Sequence, residues 1–488
     1  MNPFDVIDET CVTQFDDCAD VIVVGLGIAG ACAAIEAKRA GGDVIAVERA
    51  SAGGGASALS SGLFYLGGGT AVQQACGYSD DAQNMYQFMI ASMGSDNAQA
   101  VRQYCDQNVE HFNWLEQQGV PFERSCYKDK AVFLMGTEGL LSTGNEKVWP
   151  YRELARPVPR GHQVTGEGES TGNAAMQPLL QVCSELGVRG YYDTRVQALI
   201  TDQSGTVVGV KTQQGGDTRF LKANKGVVLA TGGFAMNPDM VQLHLQGLSA
   251  TAEALGSAYS DGSGIQLGVA AGADTDAMQN YIATASIYPP GQLIKGIIVN
   301  ESGQRFVAED SYHGRTAEFI AKQSNQRAFL IVDSEIFAYP EIETARHQLI
   351  DGYETIEEME QALAMPKDAL VATLNQYNTA ARDGVDPDFM KHPEWLKPLD
   401  QGPYAAFYIS FSQSIYLYMT LGGLKTNANA QVLNSKGIAI PGLYAAGACS
   451  AHIPKSGASY ASGMSLGPGS FFGRVAGRHI MSSNEDTP

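Results

Sequence analysis

Val21-Ile-Val-Val-Gly25-Leu-Gly27-Ile-Ala-Gly30 decides the fold. Four β-branched residues read as a strand and run into a G-x-G-x-x-G turn. The alanine-rich run to about Ala40 reads as a helix, and Val44–Val47 as a second strand, which makes a βαβ start. In such a unit Gly25 permits the tight turn, Gly27 lets backbone approach a pyrophosphate, and Gly30 allows close helix packing. The helix N-terminus offers unpaired N–H groups and partial positive charge to the phosphates. Glu48 ends the second strand 18 residues past Gly30, where a carboxylate accepts from a ribose 2′-hydroxyl and disfavours a 2′-phosphate.

Working outward, residues 1–19 read as a loose lead-in and a helical pattern continues to about Gln118. A β segment at Tyr191–Thr212 turns at Asp202-Gln-Ser-Gly205, and a buried strand, Gly226–Ala230, enters Thr231-Gly232-Gly233. From Asn280 to Tyr418 the texture changes: tyrosine is frequent, and helices are predicted at Thr355–Leu363 and Lys367–Asp383. Apolar-to-glycine patterns return at Leu421-Gly-Gly-Leu and Gly442-Leu-Tyr-Ala-Ala-Gly447-Ala448. The expected architecture is α/β: a discontinuous Rossmann-type dinucleotide-binding domain (1–276 and 419–488) around an inserted α+β substrate cap (277–418).

The glycine turns, with Gly53–Gly55 and Ser60-Ser61-Gly62, resemble the fumarate reductase/succinate dehydrogenase flavoprotein superfamily in kind and order across most of the chain. The resemblance implies FAD rather than NAD. By it, Gly25, Gly27, Ala29 and Gly30 hold the pyrophosphate, and Glu48 and Arg49 the ribose side. Ser57, Ser61 and Gly62 line the flavin, Val196 touches adenine, and Ala230-Thr231-Gly232 with Gly447-Ala448 complete the cradle. Ser465-Leu466 open a last helix, Gly469–Ile480, whose positive end faces the flavin N1/C2 edge. Some members attach FAD through a histidine near the serine loop; residues 1–110 contain none, so noncovalent FAD is expected.

Asn300-Glu-Ser-Gly-Gln-Arg305-Phe306 resembles the superfamily's approach to its active site. Fumarate reductases follow it with a proton-donating Arg, a His-Thr-Met-Gly-Gly motif and another Arg. Here the motif reads Met419-Thr-Leu-Gly422-Gly423, and the later Arg region reads Ser459-Tyr460-Ala-Ser462-Gly. A dianion without cationic clamps binds poorly. Glu309-Asp-Ser-Tyr312 and Ser459-Tyr-Ala-Ser462 resemble the 3-ketosteroid dehydrogenases, and among them the 3-oxo-5α-steroid 4-dehydrogenases. That resemblance implies Tyr460 as donor to the 3-keto oxygen, with a backbone N–H near Ser465, and Ser462 with Tyr312 as the path for the C4 proton. Without it, a tyrosine in an apolar cap is ordinarily a pocket wall with a satisfied hydroxyl, and Ser462 is turn material. Tyr65, Tyr281, Tyr288, Tyr404, Tyr416 and Tyr418 are assigned to wall or core; His313 and Arg315 sit near the expected site.

Composition bounds the rest. The 488 residues carry 32 Lys+Arg against 52 Asp+Glu, a net charge of −20, with no basic run, which argues against nucleic acid. The longest apolar stretch, Val21–Ile35, is short for a bilayer, and the acidic N-terminus is unlike a secretory leader. Eight scattered cysteines without C-x-x-C spacing read as reduced thiols, and no His/Cys cluster suggests a metal. A cytoplasmic enzyme with a hydrophobic ketone substrate, a steroid, and an external electron acceptor is expected. The rivals are a flavin-dependent ene-reductase acting on another enone or enoate, and a flavin-binding sensor or assembly protein without turnover.

Overall fold

The computed structural model describes residues 4–482 except 135, 167, 169, 250, 285, 286, 289, 340–347 and 415. At its centre Asp17–Val24 lies between Val44–Val47 and Asp217–Leu229, all parallel, with Val24 level with Val47 and Leu229. Ala439–Ala445 joins on the far side of Leu229, also parallel, pairing Leu229 with Ala445. Four strands therefore finish at one level, and Gly25, Glu48, Ala230 and Ala446 all leave the sheet there. The carboxyl edge of a parallel sheet is where such folds bind ligands.

Both faces of these strands are covered, which is why they read as unbroken Val/Ile runs. The alternation of side chains divides them between two cores. Val21, Val23 and Val228 pack with the helix Ile28–Arg39 and with Ala476 of the last helix. Ile22, Val24, Val227 and Leu229 face the other core, which continues into the inserted segment. The C-terminal helix lies so close to Ile28–Arg39 that a Cβ on Gly473 would stand 2.2 Å from the Ala29 carbonyl oxygen, and one on Gly477 2.3 Å from that of Ala33.

Three sequence expectations change. The expected loose lead-in, 1–19, is ordered over its described residues, 4–19: Asp5–Asp8 pairs in parallel with Arg195–Thr201, and the nucleotide strand begins at Asp17. The last helix runs Leu466–Ser482, three residues earlier than expected. Pro468 does not delay it, because a first-turn N–H has no intrahelical acceptor to lose. The stretch after Gln118 supplies three strands of a four-stranded sheet that Leu63–Tyr65 completes, in the order Leu63–Tyr65, Gly161–Gln163, Leu140–Ser142, Cys126–Lys130.

The segment between the two nucleotide-type parts builds an antiparallel sheet ordered Ile297–Asn300, Ala328–Asp333, Tyr404–Tyr408, Gln348–Tyr353. Helices Ile356–Ala362 and Ala369–Arg382 stand within two residues of the predicted ones. Arg305 ties this layer together through buried pairs with Glu309 and Asp386, both at 2.8 Å. The helix His313–Ala321 turns from this layer toward the carboxyl edge and sets Tyr312 at its N-cap.

Candidate active site

A cavity of about 790 Å³ opens along the carboxyl edge. Its first wall is the glycine turn. Gly25 sits at φ +95°, and a Cβ there would meet the Ala230 carbonyl oxygen at 2.6 Å, so both turn and neighbour demand glycine. The Glu48 carboxylate accepts from Leu26 N at 2.8 Å and Ala50 N at 2.9 Å, locking the turn to the adjoining strand end. Ser57 Oγ accepts from Ile28 N at 3.1 Å at the mouth of the helix. Arg49 pairs with Asp261 and lies 4.9 Å over the Tyr259 ring.

Of the expected cofactor residues, Gly25, Gly27, Ala29, Glu48, Arg49, Ser57, Ser61, Val196, Ala230, Thr231, Gly232, Gly447, Ala448, Ser465 and Leu466 line this one cavity. Gly30 and Gly62 stand behind its wall. A Cβ on Gly30 would lie 1.9 Å from the Gly25 carbonyl oxygen, and one on Gly62 2.4 Å from Val164, so both serve packing. The turn Leu255–Ser263 adds Gly256, Ser257, Tyr259 and Ser260 to the wall, unread in the sequence although Gly256, Gly262 and Gly264 punctuate it.

The opposite end is built from three chain segments. Tyr312 and Ser462 place their hydroxyl oxygens 3.1 Å apart. Tyr460 Oη lies 2.8 Å from Ser465 Oγ, and the Tyr312 and Tyr460 rings are 6.2 Å apart. Backbone bonds hold the arrangement: Asn145 Oδ1 accepts from Tyr312 N at 2.8 Å, and Thr143 Oγ donates to Ser462 O at 3.1 Å. Burial pushes both phenols well above the ordinary tyrosine range, so they remain protonated donors.

His313 also faces this end. Its ring lies 4.0 Å from that of Tyr312, neither nitrogen has a partner among the described residues, and burial lowers its pKa to about 3. Arg315 is off the wall, beneath the rings of Tyr151 and Phe319. Tyr65, Tyr281, Tyr288, Tyr404, Tyr416 and Tyr418 do not line the cavity, and several bury satisfied hydroxyls, such as Tyr418 on Ala235 O at 3.0 Å. Among the described residues the wall's only Lys, Arg, Asp and Glu side chains are Glu48, Arg49 and Arg195. Both arginines reach Asp261, away from the tyrosine end.

A family of FAD binding domains matches residues 20–466. The chain is 30% identical to the 3-oxo-5-alpha-steroid 4-dehydrogenase of Comamonas testosteroni, over 89% of this chain and 93% of that one. It is 27% identical to the vinyl phenol reductase of Lactiplantibacillus plantarum, over 95% and 96%. The crystal structure of the 3-ketosteroid-delta4-(5alpha)-dehydrogenase from Rhodococcus jostii RHA1 in complex with 4-androstene-3,17-dione superposes with a TM-score of 0.92. Identity there is 40%, covering 98% of this chain and all of that one. The chain therefore belongs to the FAD binding domain family and, within it, to the FAD-dependent 3-ketosteroid dehydrogenases.

Proposed function

We propose that this protein oxidises a 3-ketosteroid, introducing the Δ4 double bond into a 5α-saturated substrate and passing the electrons to an external acceptor from the cytoplasm. The observation that carries the reading is the hydroxyl-rich end of the cavity, where Tyr312, Ser462, Tyr460 and Ser465 stand with neutral histidines and, among the described residues, no Lys or Arg. A carboxylate substrate would leave its charge unpaired there, whereas a neutral ketone needs only donors.

The cavity fits FAD. The N-terminus of Ile28–Arg39 opens into it beside Gly27, and Leu466 brings the N-terminus of the last helix to its other side. In this reading Gly25, Gly27 and Ala29 hold the pyrophosphate, Glu48 and Arg49 the ribose side, Val196 the adenine. Ser57, Ser61, Ala230-Thr231-Gly232, Gly447-Ala448 and Ser465-Leu466 surround the flavin, which binds noncovalently. The nucleotide domain takes residues 1–276 and 419–488, and the cap 277–418 contributes Tyr312.

Bound FAD supplies a hydride acceptor for the hydrogen leaving C5. Tyr460 Oη donates to the 3-keto oxygen and stabilises the enolate as it forms. Ser462 Oγ takes the C4 proton as its own hydroxyl proton passes to Tyr312 Oη, 3.1 Å away, which in turn releases its phenol proton to solvent, so that both hydroxyls end neutral. Burial, by keeping both phenols protonated, keeps Tyr460 a donor throughout.

The test offers holoenzyme a 5α-saturated 3-ketosteroid or its 4-ene counterpart, with a dye acceptor, while flavin absorbance is followed. Bleaching by the saturated steroid supports the proposal. Reoxidation of chemically reduced flavin by an enone, with no bleaching by the saturated steroid, would support the ene-reductase, and no response to either the non-catalytic reading.

A further inference from the structure

A second cavity, of about 180 Å³, adjoins the first, and Asp96, Asn97 and Asn427 are among the residues that line it. Ser465 and His452 line both cavities. Between them runs a chain of side chains: Tyr460 Oη is 2.8 Å from Ser465 Oγ, which is 3.3 Å from His452 Nε2. The other ring nitrogen, Nδ1, is 3.3 Å from the Leu421 carbonyl oxygen.

The chain has a polarity. A carbonyl only accepts, so the hydrogen bonds assign the proton to Nδ1 and leave Nε2 a bare acceptor. Burial pulls the His452 pKa down to about 4, with Lys455 adding to the effect, so the ring stays neutral near pH 7. Ser465 Oγ has Met419 Sδ at 3.9 Å as its other acceptor, and a thioether sulfur accepts weakly, so the Ser465 proton goes to the bare Nε2 at 3.3 Å. Ser465 is left with lone pairs toward Tyr460, whose own proton is its to accept.

We propose that His452 is a positioning residue for the dehydrogenation: by engaging the Ser465 hydroxyl it keeps Ser465 from donating to Tyr460 and holds the Tyr460 proton as the one donor offered to the steroid ketone. Ser465 occupies, in the absence of substrate, the acceptor role the 3-keto oxygen takes over. The inference rests on the assignment of Tyr460 as the ketone's donor.

The arrangement predicts a sign that loosened packing would not produce. In His452→Leu the freed Ser465 hydroxyl turns to donate to Tyr460, and a donor that itself receives a hydrogen bond is a stronger one. The experiment uses FAD-loaded protein, checked for flavin content, saturated with a 4-en-3-one steroid carrying 13C at C3. The bound C3 resonance should lie downfield of the free steroid's. His452→Leu should enlarge that displacement by about 10–30%. His452→Gln, whose amide oxygen can accept from Ser465, should restore the wild-type value. Ser465→Ala, which cannot donate, should not show the enlargement in either background.

A resonance that moves upfield or stays unchanged in His452→Leu while FAD remains bound overturns the proposal. Tyr460→Phe separates this from failure of the underlying reading. If that variant keeps the wild-type displacement, Tyr460 is not the ketone's donor, and the role given to His452 falls with it.

Discussion

Replacing Gly473 by alanine probes the joint that connects the two glycine-lined ends of the site. The new Cβ would sit 2.2 Å from the Ala29 carbonyl oxygen. Ordinary carbon–oxygen contact begins near ~3.3 Å, so the two helices must part by about 1.1 Å. Neither partner is a flexible side-chain end: both atoms belong to helix backbones or their first carbon. Alanine gains about 1 kcal/mol over glycine in helix propensity. Overpacking costs about 1–3 kcal/mol, and a backbone-on-backbone clash belongs at the top of that range. The net loss is about 2 kcal/mol, a fall in melting temperature of roughly 2–4 °C for a protein larger than 250 residues. Separating the helices also displaces Ala29 and Leu466, which line the cavity from opposite sides, so FAD affinity should fall with stability. Thermal denaturation and flavin content are to be compared with Gly216→Ala, whose Cβ meets nothing within 4 Å. Full FAD occupancy and an unchanged or raised melting temperature in Gly473→Ala would refute the packing argument.

Other outcomes follow from the site and the buried charges. Tyr460→Phe and Ser462→Ala should each slow steroid-dependent flavin reduction at least ~10²-fold in stopped-flow traces while FAD stays bound. Acid should destabilise the protein steeply. Burial holds His111 and His313 at about 3 and His162 and His452 at about 4, so below their ordinary pKa of 6.5 the unfolded chain binds protons the folded one refuses. Stability is therefore complete above pH 6.5 and lost as pH falls toward 4, with a slope of about 1.4 kcal/mol per pH unit for each histidine, measurable by denaturant titration across that range. Asp80→Asn leaves Arg160 as an uncompensated buried cation and should cost about 3–5 kcal/mol by the same titration. In the wild type, burial alone would raise the Asp80 pKa, but its pairing with Arg160 brings it down to about 2. That pair's contribution is present above pH 3.8 and disappears as pH falls through 2.

Local signals made the centre of the fold legible. Val21–Val24 and Val44–Val47 are short β-branched runs on either side of a glycine turn and an alanine helix, and each lies within a strand of the structure. The helices Ile356–Ala362 and Ala369–Arg382 announce themselves by periodicity, and the first by a capping box at Thr355 and Glu358. What escaped reading is non-local. Asp5–Asp8 is a four-residue strand whose partner, Ala198–Thr201, lies about 190 residues away, and nothing in Asp-Val-Ile-Asp names it. Cys126–Lys130 has three charged residues in five, with Lys128 and Asp129 exposed, so its alternation is faint. At the site, the resemblance picked out Tyr312, Tyr460 and Ser462, and folding gathers them at one end of the cavity. His452 had no motif; its connection to Tyr460 runs through Ser465, a side-chain path that exists only once the last helix has docked. The spacing Gly469-x3-Gly473-x3-Gly477 was visible, but its meaning depends on the facing Ala29 and Ala33 carbonyls.

The central claim is that this cavity takes a C4 proton and a C5 hydride from a 5α-saturated 3-ketosteroid. The most direct measurement is a single anaerobic turnover: oxidised holoenzyme mixed with the saturated steroid, protium or deuterium at C5, with flavin absorbance and steroid product followed together. The account predicts that the flavin bleaches, one 4-en-3-one forms per flavin reduced, and deuterium at C5 slows the bleaching. A flavin that stays oxidised in the presence of the bound saturated steroid, or bleaching that yields no 4-ene product, would contradict it.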